Sequence, residues 1–255
     1  MTPTDGIAPL RAVFLDVGDT LMRADPSWEH VYAVAFAEQG IEIDIEGLRD
    51  ALRAAYHHGG WGMEGGFQPD EETSFHRTVE IDQQAIAQLG LGPMPESFFR
   101  RLSELFMLTS SWHIFPEVHE TLNALKARGL ILGVVSNWVW SLPELLHSLE
   151  MVSHLDFVVA SARVGFEKPH AEIFQNALEQ AGVPADQVIH VGDHIDADVL
   201  GARAVGISPV LIDRRERYPK QEIPEGVPVI TSLDQLLPIV DERLARRPSA
   251  QPAAS

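Results

Sequence analysis

Several short apolar runs in this sequence end in a polar residue that could do chemistry. Asp16, Ser136 and Asp193 each close such a run, Asp198 follows shortly after the third, and Lys168 lies in the loop beyond a fourth. A carboxylate can attack an electrophile or bind a hard cation, a hydroxyl can hydrogen-bond an anion, and an ammonium group can neutralise developing charge. Any one of these residues could be an ordinary turn former. Taken together, they favour a site that binds an anion with the help of a metal ion.

The apolar runs also predict the elements that position these residues. Each run is short and is followed by a segment with apolar residues at helical spacing, a pattern typical of parallel strands alternating with helices. The predicted strands are Ala12–Leu15, Leu130–Val135, Phe157–Ala160, Val188–Val191 and Ser208–Ile212. The predicted fold class is therefore α/β, a doubly wound Rossmann-like parallel sheet with helices on both faces. Ligands bind beyond the carboxyl ends of the strands in such sheets, so we expect the polar residues to converge there.

A long segment after the first strand predicts a second, all-α domain. No strand pattern interrupts it, and its helix-like stretches are Trp28–Gln39, Ile45–His57, Ser74–Leu89 and Glu96–Leu108. We expect a helical cap domain over residues 23–114, inserted into a core domain formed by residues 1–22 and 115–255. The small, polar tail 246–255 is expected to be disordered. A glycine-dense turn in the cap carries Trp61, which could anchor the packing of the cap or contact substrate as part of a lid.

Composition excludes several classes of partner and chemistry. The chain of 255 residues carries a formal net charge of −18, which disfavours nucleic acid and anionic membranes as partners. It has no cysteine, so disulfides, thiol catalysis and cysteine-ligated zinc are excluded. No apolar stretch is long enough to span a membrane, and the N-terminus lacks the pattern of a signal peptide. We expect a cytoplasmic protein, either a monomer or a homodimer.

Three carboxylates at one edge of a sheet repel one another unless a cation lies between them, and all-oxygen ligation favours magnesium. Asp16, Asp193 and Asp198 contribute −3 and Lys168 contributes +1, so the predicted site stands at −2 without metal and is neutral with Mg²⁺. Two unit charges ~4 Å apart at an effective dielectric near 20 repel by ~4 kcal/mol. We therefore expect Mg²⁺ to be required before a phosphate dianion can bind.

Four motifs in this order resemble subfamily IA of the haloacid dehalogenase superfamily, in its phosphatase branch with a helical cap. They are residues 16–21 (DVGDTL), 133–137 (GVVSN), 165–169 (GFEKP) and 190–198 (HVGDHIDAD). Each motif is weak alone, but four in order, each at the end of a predicted strand or in the loop that follows one, form a specific pattern. The resemblance covers nearly the whole predicted core, from Ala12 to about Pro219.

The resemblance implies a role for each residue and Mg²⁺-dependent hydrolysis of a small phosphate monoester, a phosphorylated metabolite. Asp16 would attack phosphorus and form an aspartyl-phosphate, with Ser136 and Lys168 stabilising the charge that develops. The implied phosphate-binding residues are Ser136, Asn137, Lys168 and Trp61. The implied metal ligands are Asp16, the backbone carbonyl of Gly18, Asp193, and Asp198 either directly or through water.

The sequence departs from this family at Gly18, where the family's phosphatases carry a second aspartate that protonates the leaving group. General acid–base help of this kind is worth ~10²–10⁴-fold in rate. The enzyme could instead favour good leaving groups such as acyl or aryl phosphates, or a histidine could substitute, with His194, His57 and His58 as candidates. As an alternative, the protein could be a catalytically weak or inactive relative that binds a phosphorylated ligand.

A third alternative is a 2-haloacid dehalogenase, a class that also lacks the second aspartate. Dehalogenases need no metal, and their fourth motif is not an acidic Gly-Asp pair, so Asp193 and Asp198 favour the phosphatase. Asp196 is expected to cap the helix that follows it, and residues 214–217 (RRER) are expected to form a solvated loop.

Overall fold

This computed structural model describes residues 9–59 and 66–245, with residues 57–59 described by their backbone alone. The side chains of His57 and His58, Trp61, and the tail 246–255 therefore lie outside the described residues. Within the described residues, no helix combines the length and the apolar character that crossing a membrane requires.

Among the residues that the structure describes, six parallel strands form the central sheet, in the order β5-β4-β1-β6-β7-β8. They are β1 (Ala12–Leu15), β4 (Ile131–Ser136), β5 (Phe157–Ala160), β6 (Val188–Gly192), β7 (Ser208–Ile212) and β8 (Val229–Ile230). Two further strands, β2 (Met22–Ala24) and β3 (Trp112–Ile114), pair antiparallel with each other in a separate ribbon. The predicted α/β parallel sheet is confirmed, with β4 beginning one residue later than expected.

Helices cover both faces of this sheet because successive residues of a strand point to opposite sides. The helices after β3 are α5 (Val118–Ala127), α6 (Leu142–Ser148), α7 (Ser161–Val164), α8 (Ala171–Ala181), α9 (Gly201–Ala204) and α10 (Leu236–Ala245). Val13 and Leu15 of β1 share a hydrophobic cluster with α5, α6 and α10. Ala12 and Phe14 of the same strand pack instead with α8 and α9. The sheet is therefore buried on both sides, as its continuous apolar runs predict.

Between the two strands of the ribbon, the described part of the chain forms four helices: α1 (Trp28–Glu38), α2 (Ile45–Gly59), α3 (Glu71–Gln88) and α4 (Glu96–Met107). This helical insertion has its own hydrophobic cluster, which includes Phe36, Leu48, Ile86 and Phe98. The division of the chain at residues 22/23 and 114/115 into core and cap domains stays a prediction.

The insertion contacts the loop of the core that carries Lys168. The amide N–H of Phe67 donates to the carbonyl of Gly165 at 2.8 Å, and Arg77 of α3 pairs with Glu167 at 3.3 Å. Arg77 also lies over the ring of Phe67, 4.5 Å from its centroid. The position of the insertion is thereby tied to the segment next to Lys168.

A carboxyl group is buried inside the insertion. Asp82 of α3 is 2% exposed, and its Oδ1 accepts hydrogen bonds from the hydroxyls of Tyr32 at 2.7 Å and Tyr56 at 3.0 Å. Burial raises the pKa of Asp82 to about 7, although the two hydroxyls favour the ionised form and oppose the shift. The folded protein therefore binds a proton at Asp82 more tightly than the unfolded chain does.

This pKa predicts a pH-dependent contribution to stability that Asp82→Asn removes. The contribution is fully present below pH 3.8 and is lost as the pH rises through about 7. Between these values the unfolded chain is stabilised by ionisation of Asp82, whereas burial keeps the carboxyl protonated in the folded protein. The free energy of unfolding of the wild type relative to Asp82→Asn should fall by about 2–3 kcal/mol between pH 5 and pH 8. Urea unfolding of both proteins at the two pH values measures this. A difference that is independent of pH would contradict the prediction.

Candidate active site

Three neighbouring strands bring the predicted residues together. Leu15 of β1 lies beside Val134 of β4 on one side and Val191 of β6 on the other, so the carboxyl ends of these strands are level. Asp16, Ser136 and Asp193 stand at those ends or one residue beyond them. The amide N–H of Asp16 donates to the carbonyl of Val191 at 2.9 Å, which fixes its backbone to the adjacent strand.

Asp16 lies at the centre of the site. Its Oδ1 accepts hydrogen bonds from Ser136 Oγ at 2.8 Å and from Lys168 Nζ at 2.7 Å. Burial raises the pKa of Asp16, and the positive charge of Lys168 opposes that rise. The ion pair therefore helps this buried carboxylate to stay ionised.

Lys168 is held by its backbone as well as by its side chain. The carboxamide of Asn137 donates from Nδ2 to the Lys168 carbonyl at 3.0 Å and accepts from the Lys168 amide at Oδ1 at 2.6 Å. Burial by itself lowers the pKa of Lys168, but the carboxylates of Asp16 and Asp198 outweigh it, and the pKa is raised. Lys168 is thus a permanent cation at this site, and Asn137 positions it. Phosphate binding by Asn137 stays a prediction.

Asp198 is fully engaged by protein groups. Its Oδ1 lies 2.5 Å from Lys168 Nζ and 2.9 Å from His190 Nε2, and its Oδ2 accepts from the amide of His194 at 3.0 Å. Burial tends to raise the pKa of Asp198, but Lys168 and His190 hold it below its usual range. Gly192 makes the close packing possible, because a Cβ at that position would lie only 2.1 Å from Asp198 Cγ.

His190 is a site residue that the sequence analysis did not identify. It is fully buried in β6, its Nε2 bonds to Asp198, and within the described residues its Nδ1 has no hydrogen-bond partner. Burial lowers the pKa of His190. A histidine in the middle of the apolar run of β6 was the available signal. His190 supports Asp198, which in turn supports Lys168.

His194, a candidate for the missing acid, is the N-cap of the π-helical segment Ile195–Leu200, and its Nδ1 accepts from the amide of Ala197 at 3.3 Å. The expectation that Asp196 caps this helix is wrong. The segment begins two residues earlier than a helix capped by Asp196 would, and Asp196 lies in its first turn.

Arg217 neutralises part of the site. Its guanidinium donates to Asp193 Oδ2 at 2.7 Å and to the Asp193 carbonyl at 3.0 Å. Burial, together with the charges of Asp16 and Asp198, raises the pKa of Asp193 to about 8, although the charge of Arg217 opposes the shift. The predicted charge of −2 omitted this arginine. With three ionised carboxylates and two cations, Lys168 and Arg217, the site carries −1.

Residues 215–217 are exposed, as expected of a solvated loop, whereas Arg214 is half-buried and bound to the core. Arg214 donates to the carbonyls of Asp19 at 3.1 Å and Thr20 at 2.7 Å, and it pairs with Glu117 at 2.7 Å. Its guanidinium also lies over a phenylalanine ring of the core. Because Asp19 and Thr20 immediately follow Gly18, Arg214 fixes the turn that carries Gly18.

The three aspartates form a group that can hold a divalent cation. One carboxylate oxygen from each of Asp16, Asp193 and Asp198 lies within 4.8 Å of the others. Carboxylate oxygens are the ligands that hard divalent cations prefer. Burial and the two neighbouring carboxylates raise the pKa of Asp193, and a cation bound among the three aspartates would oppose both effects. The residues present therefore fit a divalent metal ion.

Comparison with known proteins agrees with this fold. The family of haloacid dehalogenase-like hydrolases matches residues 10–206, and the chain belongs to that family. The "Haloacid dehalogenase-like hydrolase domain-containing protein 3" of Bos taurus is 30% identical over 246 residues, covering 91% of this chain and 94% of that protein. The phosphoserine phosphatase of Thermus thermophilus is 28% identical over 242 residues, covering 86% of this chain and 94% of that protein.

A solved structure shares the fold at lower sequence identity. The L-2-haloacid dehalogenase of Xanthobacter autotrophicus superposes with a TM-score of 0.71 at 19% identity, covering 91% of this chain and 98% of that one. Phosphatases and dehalogenases therefore occur on this one fold, and the chemistry must be argued from the site.

Proposed function

We propose that this hydrolase is a Mg²⁺-dependent phosphatase that cleaves small phosphate monoesters through an aspartyl-phosphate on Asp16. The observation that carries the proposal is the hydrogen-bonded group of Asp16, Ser136 and Lys168 beside two further carboxylates. A nucleophile, a hydroxyl donor and a fixed cation are the parts that phosphoryl transfer requires. The similarity to the phosphoserine phosphatase supports the same class of substrate.

In the first step a carboxylate oxygen of Asp16 attacks phosphorus and the ester P–O bond breaks. The leaving oxygen departs with the electron pair of that bond and takes a proton from water to become the alcohol. In the second step water attacks the phosphorus of the aspartyl-phosphate, which releases inorganic phosphate and restores the carboxylate. Ser136 Oγ and Lys168 Nζ, which contact Asp16 directly, are placed to bind the phosphoryl oxygens in both steps.

Asp16, Asp193 and the carbonyl of Gly18 would hold Mg²⁺. Asp198 would act through water, because its two oxygens are already engaged by Lys168, His190 and the His194 amide. Bound Mg²⁺ supplies positive charge that lowers the repulsion between the carboxylates and the phosphate dianion. Arg217, on one oxygen of Asp193, orients that carboxylate toward the others.

The helical insertion would act as the cap. It already contacts the loop beside Lys168 through Phe67 and Arg77, so its position can be coupled to that of the phosphate-binding lysine. Closure would exclude water and supply substrate contacts, a role that also includes Trp61. The location in the cytoplasm and the monomeric or dimeric state stay predictions.

Gly18 supports a second candidate, a catalytically weak relative that binds a phosphorylated ligand. In the structure this position has no side chain to act as an acid, and the next carboxylate, that of Asp19, pairs with Arg215 at 3.1 Å. The third candidate, a dehalogenase, is disfavoured because it needs no metal, whereas Asp193 and Asp198 complete a cluster suited to a cation.

A substrate panel tests the proposed function. Small phosphate esters and an aryl phosphate should turn over with Mg²⁺ and not with chelator. Asp16→Asn should lower kcat/KM at least about a thousandfold because it removes the nucleophile. Asp196→Asn, an exposed aspartate in the same motif region, is the matched control and should stay near wild type.

Saturable binding of a phosphorylated ligand without turnover would contradict the proposed phosphatase activity and support the second candidate, a protein that binds a phosphorylated ligand. Halide release from a 2-haloacid in chelator would establish the dehalogenase instead. Turnover that is equal in Asp16→Asn and wild type would exclude the proposed nucleophile.

Restoring the missing acid is a second test. Within residues 9–59 and 66–245, a Cβ on Gly18 would have one neighbour within 4 Å, a ring carbon of Trp138 at 3.8 Å, which is ordinary van der Waals contact. Gly18→Asp should therefore fold and should raise kcat for alkyl phosphates at least about tenfold, because alkoxides need a proton donor. The change for an aryl phosphate should be smaller. If a folded Gly18→Asp variant gains nothing on alkyl phosphates, another group already supplies the proton.

A further inference from the structure

Three tryptophans from separate parts of the chain meet beside Gly18. Trp28 begins α1, Trp112 begins β3, and Trp138 follows Asn137 in the loop after β4. The ring centroids of Trp28 lie 5.1 Å from Trp112 and 5.5 Å from Trp138, and those of Trp112 and Trp138 lie 5.3 Å apart. We call Trp28, Trp112 and Trp138 the tryptophan cluster. It joins the entry and exit of the helical insertion to the core.

One member of the cluster lies beside Gly18. Trp138 is the residue nearest to the missing side chain of Gly18, at 3.8 Å from its ideal Cβ. The side chain that is absent there would have protonated the leaving group. An indole ring therefore stands beside the space that an acid would have occupied.

The backbone of Trp138 is held firmly. Its amide donates to Ser161 Oγ at 3.1 Å, and its carbonyl accepts from the amide of Ala162 at 3.2 Å. Trp28 lies across the cluster on the helical insertion and is 43% exposed, although it contacts two other indoles. Ligand pockets are commonly lined by aromatic side chains.

We propose that the tryptophan cluster is the leaving-group subsite, that Trp138 and Trp28 contact the leaving group, and that the substrates are aryl phosphates. This inference rests on the proposed phosphatase function. A flat aromatic ring can stack on an indole or meet its edge, and each such pair contributes beyond simple burial.

The chemistry of the leaving group agrees with the geometry. When Asp16 attacks, the P–O(aryl) bond breaks, its electron pair stays on the phenolate oxygen, and water later supplies the proton. A phenol has a pKa of about 10, whereas that of water, a guide to alkoxides, is about 15.7. A phenolate can therefore leave without an acid at position 18. The site therefore lacks an acidic side chain at Gly18 and has the aromatic ring of Trp138 next to that position.

The test compares substrates and variants. Phenyl phosphate has an aromatic leaving group, and acetyl phosphate has a good leaving group that is not aromatic. Trp138→Leu and Trp28→Leu should each lower kcat/KM for phenyl phosphate by roughly 3- to 12-fold. The same variants should change kcat/KM for acetyl phosphate by less than about twofold. Trp138→Phe should retain most of the activity on phenyl phosphate.

Trp140→Leu is the matched control. Trp140 is half-buried two residues further on, outside the tryptophan cluster, with Arg163 over its ring at 5.0 Å. This variant should leave both substrates unchanged. Trp28 is the more exposed of the two test residues, so its variant keeps the test valid if Trp138→Leu folds poorly.

The possible failures are distinguishable. If the variants lower kcat/KM equally for both substrates, or for neither, the proposed aryl subsite is wrong and the proposed phosphatase activity is unaffected. If the wild type turns over no substrate with Mg²⁺, the proposed function fails. In that case, the binding of phenylphosphonate and methylphosphonate, measured by calorimetry, tests the aryl subsite independently of turnover. Tighter binding of phenylphosphonate that is lost in Trp138→Leu supports the subsite, and equal binding of the two overturns it.

Discussion

This site depends on one constraint, the repulsion between negative charges that lie close together at one edge of the sheet. Asp16, Asp193 and Asp198 place carboxylate oxygens within 4.8 Å of one another in a largely buried setting. At about 4 Å and an effective dielectric near 20, each pair of unit charges repels by ~4 kcal/mol. Lys168 bridges Asp16 and Asp198, and Arg217 takes one oxygen of Asp193, so each carboxylate has a cationic partner. The remaining deficit of charge is what a divalent cation would supply.

The supports of this cluster extend through the core. Asn137 fixes the backbone of Lys168, His190 fixes Asp198 from inside β6, and Gly192 leaves room for Asp198 to approach the strand. Arg214 fixes the turn after Asp16 by donating hydrogen bonds to the backbone carbonyls of Asp19 and Thr20. Each of these residues acts through another one, so the geometry of the site is a property of three strands and the loops at their ends.

The sequence predicted the parts of the fold that have strong local patterns. The apolar runs of β1 and β6 identified the central strands, and the end of each run identified Asp16 and Asp193. The ribbon of β2 and β3 was missed because strands of three residues are too short to show an alternating pattern. Their pairing across the whole helical insertion has no local signature.

The missed site residues have related explanations. Arg217 lies in a loop, where only the fold shows that its guanidinium reaches Asp193. His190 did carry a signal, as the one polar residue inside the apolar run Val188–Val191. Arg214 looked like part of a solvated charge run, and its contacts with Asp19 and Thr20 join residues far apart in the chain.

Uptake of Mg²⁺ measured by calorimetry tests the central claim most directly. The wild type should bind one ion saturably, and affinity should fall as the pH drops below about 8, because protons then compete at Asp193. Asp193→Asn should bind far more weakly at every pH. Absence of saturable uptake in the wild type, or equal affinity in Asp193→Asn, would contradict the account.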